Sequence, residues 1–259
     1  MAAPYTIRVS STKGGVGKST VTVNLGTWLQ LFGYKVLLVD LDTVNPSVGL
    51  YLGMPNVNIG VDEVITDQVQ IERAIVPHSA TGLHVLPGVL KGKYTLPIKE
   101  QLDLFLSSLM KLDYDFVLFD TQPGIPTAET LEYYNEALVI TLPDEASCLS
   151  AVKMLDVYKS NKIKTSVLVN RVANQGYELT IREIEALCEQ KVTGVLPEDV
   201  NVKISIAEHI PLVLKNRSSP FSKQIDNVGH MYSTRSATYR EGEGKGKLGS
   251  FLGGLFKKG

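Results

Sequence analysis

Lys13-Gly14-Gly15-Val16-Gly17-Lys18-Ser19-Thr20 follows a short apolar stretch, Tyr5 to Ser10, and opens a helical pattern that starts at Lys18. That order of strand, glycine loop and helix is what a phosphate-binding loop requires. Glycines let backbone N–H groups turn inward and approach a phosphate chain without a Cβ clash. The first turn of the helix adds partial positive charge. Lys18 would then bind the β- and γ-phosphates of a nucleotide, and Ser19 would place its hydroxyl on Mg²⁺. The amides from Gly14 to Thr20, Val16 included, would complete the cradle. The common pattern Gly-x4-Gly-Lys-Ser/Thr puts a further glycine at position 12, where this chain has Thr12.

Working outward, Val21, Leu25, Trp28 and Leu29 share one helical face, and Gly33 fits a helix C-cap. Residues 35–40 form a continuous apolar strand of the kind covered on both faces. Further strands are expected at residues 83–86, 116–120, 137–141, 166–170 and 192–196. Helical patterns lie at 98–112, 146–158 and 180–189. Alternation of this kind predicts an α/β fold: a mostly parallel twisted sheet with helices on both faces, in three layers. Ligands in such sheets bind outside the carboxyl ends of the strands. Residues 233–246 are polar and glycine-rich and read as a flexible linker. The expected division is a domain over 1–232, that linker, and an amphipathic C-terminal segment over 247–259.

The chain has 259 residues, 44% of them hydrophobic, with 26 Lys plus Arg against 27 Asp plus Glu. A balanced charge gives no global attraction to nucleic acid or anionic lipid. Cys148 and Cys188 are the only cysteines. They form no Cys-x-x-Cys pair, so a disulfide framework, a zinc site and an iron–sulfur cluster lack support, and both read as core thiols in a reducing cytoplasm. No secretory signal precedes the first strand, and no apolar run is long enough to span a bilayer.

Two strands end in carboxylates. Asp40 closes residues 35–40, with Asp42 two positions on. Asp120 closes the apolar run from Asp115 in the Walker B manner, which assigns it to Mg²⁺.

The loop Lys13-Gly14-Gly15-Val16-Gly17-Lys18 resembles the deviant Walker A signature of the MinD/ParA ATPases. Gly49 to Met54, Gly82 to Gly88 and Ala207 to Val213 resemble stretches of archaeal-type MinD proteins, so the likeness spans about residues 5 to 230. It implies a P-loop NTPase fold with ATP and Mg²⁺ as cofactors. It implies that Lys13 reaches across a dimer interface to the other copy's phosphates. It implies that Asp40 orients the attacking water and that Asp40 and Asp42 stand at or near Mg²⁺, with Asn45 in the same switch loop. It also implies that Asn170 and Arg171 meet the adenine, whose edge needs both donor and acceptor, and that Pro197, Glu198 and Asp199 line the base. Gln122 departs from the proline the family usually carries there, and its role is open.

In the tail, Leu248, Phe251, Leu252, Leu255 and Phe256 fall on one helical face, flanked by Lys245, Lys247, Lys257 and Lys258. Such a face suits an anionic membrane interface, and MinD-like proteins carry a similar segment. Two tails on one dimer would gain from effective concentration. The expectation is a weak ATPase that dimerises with ATP, sits at the inner face of the cell membrane, and recruits an unidentified protein cargo or activator. Alternatives are a ParA-like ATPase that binds DNA without sequence preference, a nucleotide-held scaffold that does not hydrolyse, and a tail that docks on protein.

Overall fold

The structure, a computed structural model, describes residues 3–90, 99–126 and 128–240. The tail expected at the membrane, and residues 241–246 of the expected linker, lie outside these. In chain order the elements are β1 (Tyr5–Ser10), α1 (Lys18–Leu31), β2 (Val36–Leu41), α2 (Val48–Tyr51), α3 (Val61–Ile65), α4 (Ile71–Ala74), β3 (Val76–Pro77), β4 (His84–Leu86) and α5 (Lys99–Leu109). Then come β5 (Phe116–Thr121), a 3₁₀ turn (Ala128–Tyr133), β6 (Glu136–Thr141), α6 (Glu145–Ser160), β7 (Lys164–Val172), α7 (Ile181–Cys188), β8 (Val192–Pro197), α8 (Val200–Ala207), α9 (Leu212–Lys215) and α10 (Pro220–Thr238).

The eight strands form one sheet in the order β3-β4-β2-β5-β1-β6-β7-β8. Every pairing is parallel except that of the two-residue edge strand β3 with β4. Parallel strands need crossovers, and the helices that supply them cover both faces. Alternation along β1 shows this directly. Tyr5, Ile7 and Val9 join one core with Leu25 and Trp28 of α1 and with Phe221, Ile225 and Tyr232 of α10. Thr6, Arg8 and Ser10 point to the other face. There Val117 and Phe119 of β5 pack with Phe105 of α5, Met154 and Tyr158 of α6, and Ile184 of α7. The mostly parallel, three-layered fold is the one the strand–helix alternation predicts.

Local chemistry sets the helix starts. Asp144 caps α6 by accepting from Ser147 N at 2.8 Å. Thr180 and Glu183 form a capping box at α7. Gly33, at φ +90°, follows α1 in the left-handed conformation that ends helices. Cys148 and Cys188 are buried free thiols.

The C-terminal end corrects the expected linker. Residues 233–238 continue α10 rather than leaving the domain. Arg235 donates from Nη1 to the fully buried Glu136 and, at 2.8 Å, to Ser166 Oγ. Glu136 also accepts from Tyr5 Oη at 2.9 Å and Ser166 Oγ at 2.5 Å. Tyr239 packs edge-on against Tyr5 at 5.6 Å, and Arg240 pairs with Asp115 beside the start of β5. The polar residues that resemble linker composition are the ones that satisfy a buried carboxylate. Farther back on the helix, Trp28 Nε1 donates to Asp226 Oδ1 at 2.8 Å, and a Cβ on Gly229 would lie 2.2 Å from the Trp28 ring.

Candidate nucleotide site

β1 lies between β5 and β6, where the chain's successive strands diverge to either side. A crevice opens at the carboxyl end of such a strand, and the glycine loop enters it. Gly15 and Gly17 hold φ of +76° and +98°, where a side chain is strained. Gly17 is further constrained, since a Cβ there would stand 2.3 Å from Asn170 Nδ2. That amide leaves the end of β7 and donates to Val16 O at 2.7 Å. The loop is thus clasped by a residue more than 150 positions away in sequence, and it opens on a cavity of about 350 Å³. Gly14, Gly15, Gly17, Lys18, Ser19 and Thr20 line one end, and a Cβ on Gly14 or Gly15 would meet nothing within 4 Å. Lys18, the first residue of α1, is only 7% exposed.

Oxygen ligands gather beside Lys18. Ser19 Oγ donates to Asp120 Oδ2 at 2.5 Å, and Ser47 Oγ donates to Ser19 Oγ at 2.6 Å. Asp42 lines the same end of the cavity and accepts from Asn45 N at 3.0 Å. A hydroxyl on a carboxylate, with a second hydroxyl and a second carboxylate at hand, is an all-oxygen donor set that suits Mg²⁺. Among the described residues no three His, Cys, Asp or Glu side chains converge as a metal cage. Mg²⁺ takes one or two protein ligands at such a site and fills its shell with phosphate oxygens and water. Burial raises the Asp120 carboxyl, and the Ser19 hydroxyl and Lys18 charge work against this.

Asp40 sits behind the cavity, at the root of the loop that follows β2. It is fully buried and does not line the cavity. Its Oδ2 accepts from Ser47 N at 2.9 Å and Val48 N at 3.0 Å, and its Oδ1 from Asp42 N at 3.2 Å. It anchors the loop that presents Ser47 and Asp42. Burial and then the Asp120 charge, its register neighbour across β2 and β5, raise the Asp40 carboxyl. The three N–H donors oppose that rise.

Asn170, Arg171, Pro197, Glu198 and Asp199 also line the cavity. Arg171 sits at φ +58° and lies 3.8 Å from Glu198. One Asn170 N–H is committed to the glycine loop rather than to a base, which leaves its second N–H and its carbonyl. Asp199 caps α8 through Oδ1, which accepts from Asn201 N at 2.9 Å, while its buried Oδ2 has no partner among the described residues. A buried acceptor without a donor is costly, and here it belongs to a residue of the cavity wall. Lys13 and Val16 do not line the cavity. Val16 is buried in the core, and Lys13 is exposed with no side-chain partner among the described residues.

Ser47, Tyr51, Val202, Lys203, Ile206 and Phe221 also line the cavity and had no signal in the sequence. Ser47 follows a switch segment without a motif of its own. Phe221 comes from α10, which carries no pattern pointing to this end of the sheet.

Known proteins resemble this chain in sequence and in fold. The CobQ/CobB/MinD/ParA nucleotide binding domain matches residues 7–212. A putative septum site-determining protein MinD of Guillardia theta is 33% identical over 82% of this chain and 82% of its own length. An uncharacterized ATP-binding protein of Methanocaldococcus jannaschii is 30% identical over 96% of both chains. In three dimensions, the septum site-determining protein MinD of Pyrococcus horikoshii, solved in complex with Mg-ADP, superposes with a TM-score of 0.81 at 26% identity. That alignment covers 88% of this chain and 96% of the other. The glycine loop, the carboxylate at the end of β5 and the match across most of the chain make this protein a member of the MinD/ParA nucleotide-binding ATPase family, on its MinD-type side.

Proposed function

We propose that this chain is an ATP-hydrolysing switch that closes into a homodimer around ATP and Mg²⁺. As a dimer it binds the inner face of the cell membrane through residues 247–259 and recruits partner proteins there until hydrolysis releases it. The observation that carries this reading is the contrast between the two loop lysines. Lys18 is held inside the cavity, while Lys13 stands exposed beside it and unpaired among the described residues. A cation on the outer side of a phosphate cradle suits the phosphates of a second copy. Exposed apolar side chains support a partner on this face. Val44, Ile125, Leu149, Tyr177, Val200 and Ile204 follow the carboxyl ends of five different strands, β2 and β5 to β8.

Lys18 would neutralise the β- and γ-phosphates, and Ser19 with Asp120 would hold Mg²⁺, assisted by Asp42. The ion supplies charge neutralisation on the phosphate oxygens. Asp40 acts through the loop it anchors, fixing Ser47 against Ser19. The Asp199 carboxylate would accept from the adenine amino group, and Asn170 would serve the base with its remaining groups. The relatives named for septum-site determination make division proteins the first class of cargo to test. No helix among the described residues is long and apolar enough to cross a membrane.

The test is co-sedimentation with anionic vesicles under ATP and under ADP, with a chain ending at Gly244 as control. Pelleting that needs both ATP and the tail supports the switch. Binding to duplex DNA under ATP, with none to vesicles, replaces it with a DNA-positioning role.

A further inference from the structure

Behind the two loops that close the nucleotide cavity lies a second cavity of about 200 Å³. The two share a wall. Leu41 and Thr43 face the second cavity, while Asp42 between them faces the first. Thr121 and Gln122 face the second, while Pro123 faces the first. Gln122 Nε2 donates to Thr43 Oγ1 at 3.4 Å, at the weak end of hydrogen-bond geometry. Among the described residues it is the one side-chain hydrogen bond joining these loops.

Arg8 lines the second cavity from the central strand, on the face turned away from α1. Its Nε donates to Tyr158 Oη at 3.1 Å and its Nη1 to Tyr134 Oη at 3.2 Å. The guanidinium lies 5.2 Å from the centre of the Tyr134 ring. No carboxylate pairs with it among the described residues, and Nη2 has no partner there. Asp62, also on the cavity wall, makes no ion pair with it. Burial disfavours the Arg8 charge, but the two tyrosines outweigh that effect, so the group stays ionised. A guanidinium does not neutralise itself by losing a proton. Half-buried on the cavity wall without a counter-charge, it is left with an unused hydrogen-bond donor facing the cavity side of the strand. Its planar fork matches an oxyanion, with which it makes short charge-assisted hydrogen bonds.

We infer that this cavity is a second oxyanion subsite, centred on Arg8, which takes inorganic phosphate leaving the nucleotide site past Gln122 and Thr43. The source of that phosphate rests on the ATPase reading, whereas the subsite rests on Arg8 and its cavity alone.

The full chain, loaded with Mg²⁺ and a non-hydrolysable ATP analogue so that the glycine loop is filled, is titrated with inorganic phosphate by calorimetry. One saturable site is expected, with a Kd of about 1 mM. Arg8→Gln should weaken it at least about tenfold, and Arg8→Lys, which keeps the charge but not the fork, by less. Leu102→Trp, which fills the cavity without touching Arg8, should also abolish it and covers the case of an Arg8 variant that does not fold. Absence of saturable binding in the unaltered chain overturns the inference, and so does equal binding in Arg8→Gln and Leu102→Trp. If the analogue does not load, the ATPase reading falls instead. The same titration of a Lys18→Ala chain, with the loop lysine removed, then decides the Arg8 site by itself.

Discussion

Ser19 Oγ, on the first turn of α1, donates to Asp120 Oδ2, at the end of β5, at 2.5 Å. A hydroxyl that serves Mg²⁺ would exchange this bond for the ion, so metal and carboxylate share one oxygen. Asp120→Asn should therefore remove the Mg²⁺ dependence of nucleotide binding while metal-free binding persists. Hydrolysis should fall about 100-fold or more, since the ion supplies several kcal/mol of charge stabilisation. Nucleotide titrations with Mg²⁺ and with EDTA check this, and a variant that still responds to Mg²⁺ refutes the assignment.

Asn170→Ala and Gly17→Ala probe the clasp on the glycine loop. The first leaves Val16 O without its donor and should cost about 1 to 3 kcal/mol of stability. The second both strains a φ of +98° and drives a Cβ into the Asn170 amide. The double variant should be less damaged than the sum of the two, because the clash disappears with the amide. Chemical denaturation of all four chains measures the coupling, and strict additivity would show that the contact does not matter.

Lys13→Ala should leave nucleotide binding by the monomer unchanged and abolish the ATP-dependent dimer. Light scattering under ATP and ADP reads the mass. A Lys13→Ala chain that still dimerises would remove the lysine from the interface.

Arg235→Met strips the fully buried Glu136 of its guanidinium. Lys164, at 3.5 Å, remains as a weaker counter-charge. Removing one member of such a pair should cost about 3 kcal/mol. A chain truncated after Tyr232 should be destabilised at least as much, whereas one ending at Arg240 should melt like the full chain. Thermal unfolding distinguishes these outcomes.

Burial, and then the neighbouring Glu63, push the Asp62 carboxyl from 3.8 to about 6. The sign follows from linkage. Over that range the folded chain holds a proton that the unfolded chain has released, so the contribution of Asp62 to stability falls as pH rises and is lost above pH 6. Asp62→Asn should gain stability relative to the unaltered chain between pH 4 and pH 7. A gap in melting temperature that does not change with pH would contradict this.

Much of the fold was legible because its strands are apolar on both faces and its loop chemistry sits at strand ends. β1, β2, β5, β6, β7 and β8 announce themselves this way, and so do Lys18, Ser19 and Asp120. The residues that escaped act through partners distant in sequence. Arg235 has the composition of a linker until Glu136, 99 positions earlier, is placed beside it. Arg8 looks like an incidental charge in an apolar strand until Tyr134 and Tyr158 close around it. Asp40 has the type and position of a water-orienting carboxylate, and its anchoring of the turn after β2 through Ser47 N and Val48 N carries no pattern of its own. Ser47 has no pattern of its own, and only that turn brings it to Ser19.

The pairing of Arg240 with Asp115 holds the last described residue beside the start of β5. Asp115 precedes β5, so Arg240 lies at the amino edge of the parallel strands, and the nucleotide cavity lies at the carboxyl edge. Six residues of parallel strand separate the two edges by about 20 Å. Arg240 is thus pinned on the side of the sheet opposite the nucleotide cavity, and any influence of one place on the other has to cross the full length of the strands.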